Sequence, residues 1–392
     1  MSPPRLLSSS GRANAATLIV TVLVLLIGAE IVLRAIYHPQ IVGSIIRYDP
    51  VLGWSLRPKA SQVIDVSERG FHPRVDVNSL GLREREVSVD RPAKRRRVLI
   101  VGDSVVFGSG LATGERFSDR LGEALTGRVE VINAGVPGWG NDQELLFYET
   151  SLRRLKPDLV ILTFTANNDV VNNALAGAML EGGTKPRFTL AGDSLVLAPP
   201  APPARLSAAV RAKHVLRKSR LLVFVRRRLQ RLSYRHQVQD NTAHEFHGFE
   251  AYRHLSHWSV YDTHGGEAIE SAWRVTEAIL GRFAADCRAD SAGFCVFAMP
   301  MRLDVDDAWR ERLMEHTGMD PARIDMELPY RRLSACCAAN GIPFYFPLEE
   351  FRAAARSEPL YFDVDGHPNS RGNALAAEYL GRLAVLAAGG AG

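Results

Sequence analysis

Cysteine is scarce in this 392-residue chain: Cys287, Cys295, Cys336 and Cys337 are the only four, and none stands in a Cys-x-x-Cys or Cys/His ligand spacing. A disulfide scaffold and a structural zinc site are therefore not expected, and neither a metal nor any other cofactor is called for. One bridge stays open to a domain outside the cytosol. Cys295, however, lies among Phe294, Val296 and Phe297 and reads first as a core residue. No lysine follows the glycines of Gly102–Gly110 (GDSVVFGSG), and Asp103 would face an anion, so a phosphate loop is a poor reading of that stretch. Acidic residues are missing from Arg205 to Arg235, where eleven Lys/Arg stand; the formal net charge of +5 is local, and the rest of the chain is net acidic. A nucleic-acid binder would spread its charge over a folded face with stacking aromatics between, so nucleic acid is not expected as a partner.

What is present begins with a long apolar run. Ala15 to Ala29 carries no charge, and continuing to Ile36 gives about 22 helical residues, roughly 33 Å at the helical rise, enough to span a bilayer. Arg5 and Arg12 precede it, which predicts a cytoplasmic tail over 1–14, a signal anchor over 15–36 and everything after Tyr37 on the far side of the inner membrane. A signal peptide cleaved after Ala29 is the competing reading, although Ile27 is a poor residue at the position three before the cut.

Residues 37–94 are rich in Gly, Pro and Arg with short alternating stretches, and read as a β-containing lead-in without a core of its own. From Arg97 the pattern changes. Val98–Val101, Val129–Ile132, Leu159–Phe164, Phe294–Met299 and Pro343–Phe346 are continuous apolar runs of the kind buried on both faces of a parallel sheet. Helical stretches at Phe117–Leu125, Asp142–Leu155 and Ser370–Leu386 alternate with them, which predicts a doubly wound, flavodoxin-like α/β domain of five mostly parallel strands over 95–388. The rhythm breaks over 170–260, where LAPPAPPA (Leu197–Ala204) precedes the basic stretch, so an insertion is expected. Within it Leu221, Val225, Leu229 and Leu232 follow a helical period among arginines, suiting either a solvated helix packed on the domain or contact with anionic lipid headgroups or an anionic polymer.

In an open α/β sheet, ligands bind past the carboxyl ends of the strands. There the sequence places Gly102-Asp103-Ser104, Asn133-Ala134-Gly135, Asn167-Asn168-Asp169 and Asp365-Gly366-His367. A serine hydroxyl needs an imidazole to take its proton, and the imidazole needs a carboxylate to fix its tautomer, roles that Ser104, His367 and Asp365 can fill. Backbone N–H groups of Ser104 and Gly135 and the side-chain amide of Asn168 are candidate oxyanion donors. Asp103 reads as structural, bonding nearby backbone, and Asn369 as the N-cap of the last helix. Trp139 either lines an acyl pocket or packs under the Gly135 loop.

These blocks, in this order, resemble the four blocks of the SGNH (GDSL-type) hydrolases over roughly Arg97–Leu386. The resemblance implies a serine esterase with Ser104 as nucleophile, Gly135 and Asn168 as oxyanion donors and His367 as base. Two positions depart from the family pattern. Ala166 replaces the glycine of Gly-x-Asn-Asp, and Val364 stands where the last aspartate usually lies, three before the histidine. Asp365, two before it, is similar to the Asp-x-His arrangement of alginate O-acetylation proteins, and Asp363 is a reserve. Tyr48-Asp49-Pro50, Gly53-Trp54 and Asn78-Ser79-Leu80-Gly81 also look like the lead-in of bacterial membrane-tethered members. The expected substrate is an acyl ester, acetyl included, of a cell-envelope glycan or lipid. Transfer of the acyl group to a polysaccharide is the alternative, and a tethered carbohydrate- or lipid-binding pseudoenzyme the non-enzymatic one. Activity is expected to rise with pH through the histidine range.

Overall fold

The structure is a computed structural model and describes residues 9–36, 45–63, 73–90, 95–175, 177, 183–202, 219–222, 224–225, 256–363 and 366–383. The chain divides into two units, Met1–Ile41 with Arg205–Asn241, and Val42–Ala204 with Thr242–Gly392.

The first unit is built on helix α1, Ser9–Ile36. Its Thr17–Ile36 stretch is long and apolar enough to cross a membrane, with a mean hydropathy of 2.5 and none of it buried within the protein. Glu30 is the acidic exception. Its carboxylate accepts from Arg34 Nε at 2.9 Å, from Ser219 Oγ at 2.8 Å and from the backbone N–H groups of Arg220 and Leu221 at 3.1 and 3.0 Å. It thus caps the helical residues 220–222, satisfying donors that a helix start leaves open. The rest of the expected amphipathic segment, Leu229 and Leu232 included, lies outside the described residues.

In the second unit the sheet forms from β5 (Arg96–Gly102), β6 (Val129–Gly135), β7 (Leu159–Phe164), β10 (Gly293–Ala298) and β11 (Phe344–Tyr345), in the spatial order β11-β10-β7-β5-β6. All four ladders are parallel, so the order is the flavodoxin-like one, and the strand order reverses between β5 and β7. The apolar runs explain the burial. Val98, Leu99, Ile100 and Val101 are all fully buried, with Leu99 and Val101 in one core and Val98 and Ile100 in the other, as the alternation of a strand covered on both faces requires. Helices α3 (Phe117–Ala124) and α11 (Ser370–Gly381) cover one face; α4 (Asn141–Phe147), α5 (Ala166–Ala174) and α6 (Glu267–Ala289) cover the other.

Three elements differ from the sequence expectation. The helix expected over Asp142–Leu155 is α-helical only to Phe147; it continues as a π turn, Tyr148–Leu152, and a 3-10 turn, Arg153–Leu155, which keeps Tyr148, Leu152 and Leu155 all inside the core. The last helix ends at Gly381, and β11 is two residues long. Within the expected insertion, α5 runs on to Ala174, and a hairpin forms from β8 (Arg187–Ala191) and β9 (Ser194–Ala198), turning at Gly192 with φ +61°.

The lead-in folds as two small antiparallel ladders, β1 (Ile46–Asp49) with β2 (Gly53–Leu56) and β3 (Ser61–Val63) with β4 (Arg74–Asp76). Trp54, Leu56, Val75 and Leu82 are buried in the same core as the sheet. Just before β8, Lys185 pairs with Asp142 of α4, both wholly inside. Burial pushes the Asp142 carboxyl up and the Lys185 ammonium down against the attraction between them. Removing one partner strands the other charge, so Lys185→Met should lower unfolding free energy by about 3–5 kcal/mol in a denaturant titration. A loss below about 1 kcal/mol would show the pair to be dispensable.

Candidate active site

The ends of β5, β6 and β7 and the loop before α11 meet at the reversal of strand order. Helix α2 (Ser104–Phe107) starts directly after β5, with Asp103 as its N-cap: Asp103 Oδ1 accepts from Val105 N at 2.8 Å. This sharp entry places half-buried Ser104 at the first helical position, where its own N–H has no helical acceptor. Gly108, in the left-handed region at φ +74°, ends the helix after one turn.

His367 is brought to the serine by a tightly folded loop. Phe362 N donates to the His367 carbonyl at 2.9 Å, Gly366 turns at φ +68°, and Asn369 caps α11 by accepting from Arg371 N and Gly372 N at 2.8 and 3.1 Å. The result is a 2.8 Å contact between His367 Nε2 and Ser104 Oγ, across 263 residues of sequence. Asp365, the expected orienting carboxylate, lies outside the described residues, as does Val364. Asp363 is exposed, and its carbonyl accepts from Arg302 at 2.9 Å.

The side chain of Asn168, in the first turn of α5, is held from two sides. Its Nδ2 donates to Asp103 Oδ2 at 2.6 Å, and its Oδ1 accepts from Asn172 Nδ2 at 2.9 Å. One amide hydrogen remains for another acceptor. Asp103 thus does more than bond its own backbone, because the same carboxylate links the serine turn to Asn168.

Gly135 does not offer the donor expected of it. Its N–H already donates to Asn133 Oδ1 at 3.0 Å. A Cβ there would stand 2.6 Å from the Val106 carbonyl carbon and closer still to Phe107 N, so this glycine is where β6 and α2 touch. Gly138, three residues on, is half-buried with φ +77°, and among the described residues its N–H has no acceptor. Asn172 Nδ2 also reaches the adjoining Trp139 carbonyl at 3.3 Å, tying the Gly138 turn to α5 beside Asn168. Trp139 itself is fully buried, packed edge-on against Phe147 with ring centroids 5.1 Å apart, and it donates to the Trp54 carbonyl at 3.2 Å.

Arg83, from the lead-in, escapes sequence reading. Its guanidinium donates to the carbonyls of Phe107 and Gly108 at 2.8 and 2.7 Å and of Leu111 at 2.5 Å, holding the C-terminal end of the serine helix. Burial, together with Arg116, pushes it down to about 9, still charged at neutral pH. A cleft of about 570 Å³, lined among others by Arg302, Asp306, Arg352, Tyr361 and Asp363, opens beside the His367 loop; Ser104 and His367 are not among its walls. All four cysteines are buried and unpaired.

No family model and no curated protein matches the chain. Among solved structures it is similar to TesA (14% identity, TM-score 0.36), with 74% of this chain and 99% of that one covered. It is also similar to a catalytic mutant of Axe2, an acetylxylan esterase from Geobacillus stearothermophilus (13%, TM-score 0.39, covering 76% and 96%). A third is a GDSL-like lipase from Bacteroides thetaiotaomicron (12%, TM-score 0.35, covering 76% and 91%). Likenesses this distant concern the course of the chain alone.

Proposed function

We propose that the chain is a membrane-anchored serine esterase of SGNH type. The observation that carries this reading is the 2.8 Å contact of His367 Nε2 with Ser104 Oγ, at the point where an open α/β sheet binds its ligands. In this reading His367 takes the Ser104 proton as Oγ attacks the ester carbonyl. The tetrahedral oxyanion is met by the Ser104 N–H, the free hydrogen of the Asn168 amide and, in place of Gly135, the Gly138 N–H. Collapse of the intermediate expels the alcohol with the proton from His367, leaving an acyl-Ser104. Water, deprotonated by the same imidazole, then releases the acid. Asp365 is assigned to hold the imidazole tautomer. Thr17–Ile36 is the anchor, with the arginines before it on the cytoplasmic side and the enzyme on the other, acting on an acyl ester of an envelope glycan or lipid.

A fluorophosphonate probe on the full chain tests this: covalent labelling of the wild type and none of Ser104→Ala is expected. No label on the wild type, or equal label on both, would overturn the esterase and favour a binding protein. A polysaccharide acceptor that diverts acyl groups from water would instead identify a transferase using the same serine.

A further inference from the structure

Behind Asn168 lies a set of four carboxyl groups, Asp103, Asp142, Glu144 and Asp169, each from the strand ends or first helical turns that build the site, and each wholly or almost wholly inside the protein. The ionic partners available to them are few. Lys185 is taken by Asp142. Asp103 is met by Val105 N and Asn168 Nδ2. For Glu144 and Asp169 there remain two neutral donors. Asn141 Nδ2 donates to Glu144 Oε2 at 2.8 Å and to Asp169 Oδ2 at 3.3 Å, so both carboxyls converge on one amide nitrogen; Thr165 N donates to Asp169 Oδ2 at 2.8 Å. The second oxygen of each, Glu144 Oε1 and Asp169 Oδ1, is buried with no partner.

Two adjacent carboxylates cannot both stay ionised out of water with half their oxygens unsatisfied. We infer that Glu144 and Asp169 share one proton, and that this acid pair is a positioning device for Asn168. One carboxyl carries the proton and the other the charge, which leaves a single negative charge on the pair and gives it one more donor for the oxygens that lack a partner. The groups facing it point the same way: Asp103 and Asp142 add negative charge, while Lys185, the one buried cation facing it among the described residues, is already neutralised in part. Burial, with these neighbours, lifts both carboxyls well above the usual range.

The link to function is short. Asp169 follows Asn168 directly and reaches back to the N–H of Thr165, the N-cap of α5, whose own side chain caps nothing. It therefore fixes the turn that presents Asn168, and Glu144 fixes Asp169. Loss of the shared proton at alkaline pH sets two charges against each other behind the oxyanion donor. This role rests on the esterase reading; the shared proton does not.

Infrared difference spectra of the full chain in detergent separate the two. At neutral pH the wild type should show a protonated-carboxyl band, sensitive to deuterium exchange, that both Glu144→Gln and Asp169→Asn lack. Its absence from the wild type, or persistence in both variants, would mean that buried water satisfies the free oxygens and would overturn the inference whatever the activity. For positioning, Glu144→Gln should keep kcat within about threefold, since its amide donates as the acid does, and should lose the alkaline fall in kcat. Glu144→Ala should lower kcat about 10-fold or more with KM little changed. If the alanine variant fails to fold, the glutamine variant still decides: an unaltered alkaline limb would overturn the positioning role. The same proton makes wild-type Tm fall as pH rises above the ordinary carboxylate range, because the folded state then holds a proton that the unfolded chain releases. Glu144→Gln should flatten that fall.

Discussion

Ser104→Ala and His367→Ala should each reduce ester hydrolysis by roughly four to six orders of magnitude, and by similar amounts, because a nucleophile and its base act as a unit. The geometry makes the equality the informative part. With Oγ and Nε2 at 2.8 Å, the imidazole is the group placed to accept the serine proton, and nothing else described stands in that place. Without His367 the hydroxyl is a weak nucleophile; without Ser104 the imidazole has nothing to activate except water. In the esterase reading, what remains in either variant is binding and the proposed oxyanion donors, worth about a thousandfold or more over solution. The paired loss should reside in kcat. Neither substitution should cost more than about 1–2 kcal/mol of stability, since both side chains are half-exposed and a hydrogen bond contributes about 1 kcal/mol, so thermal unfolding controls for misfolding. A loss of only tenfold for His367→Ala would place the base elsewhere.

Gly135→Ala should lower both activity and stability, by a different route. The added methyl would lie 2.6 Å from the Val106 carbonyl carbon and 2.8 Å from Val106 Cβ, with Phe107 N nearer still. Two of these three are backbone atoms of α2 and cannot rotate away as a side-chain tip can, so β6 and α2 must separate. Overpacking of this kind typically costs about 1–3 kcal/mol, and backbone contact puts it at the upper end. Because α2 begins with Ser104, a separation near 1 Å should also lower kcat about 100-fold. The matched control is Gly122→Ala in α3, where the new Cβ would meet Val131 at 3.5 Å, ordinary contact, and helix propensity favours alanine. Lower Tm and slower probe labelling for Gly135→Ala, with Gly122→Ala unchanged or stabilised, is the expected pair of results. Equal behaviour of the two would remove the argument for close approach.

The strands were legible because burial on both faces leaves unbroken apolar runs, and Val98–Val101, Leu159–Phe164 and Phe294–Ala298 are such runs. Helix continuity past Phe147 was harder to see, since a π turn keeps the apolar spacing while changing the hydrogen bonding. The serine, the histidine and Asn168 were visible because each follows a strand or precedes a helix, so position alone narrows the candidates. Gly135 and Gly138 could not be told apart in the same way. Both lie in one glycine-rich stretch, and what separates them is that the Asn133 side chain occupies one N–H and leaves the other open, which no spacing reveals. Arg83 and Glu144 were invisible for a related reason. The partners of Arg83 are backbone carbonyls, whose identity leaves no mark on sequence, and Glu144 acts through an orphaned oxygen next to another acid.

Arg83 has a practical corollary for anyone shortening the protein. Removing the apolar N-terminal helix to obtain a more soluble protein invites a cut just before β5, where the apolar runs begin. Such a cut would discard the guanidinium that closes the serine helix, the Leu52 carbonyl that receives Gln143 and the Trp54 indole that donates to Pro137. The workable place to sever the chain is ahead of Ile45, so that the whole lead-in travels with the five-stranded sheet.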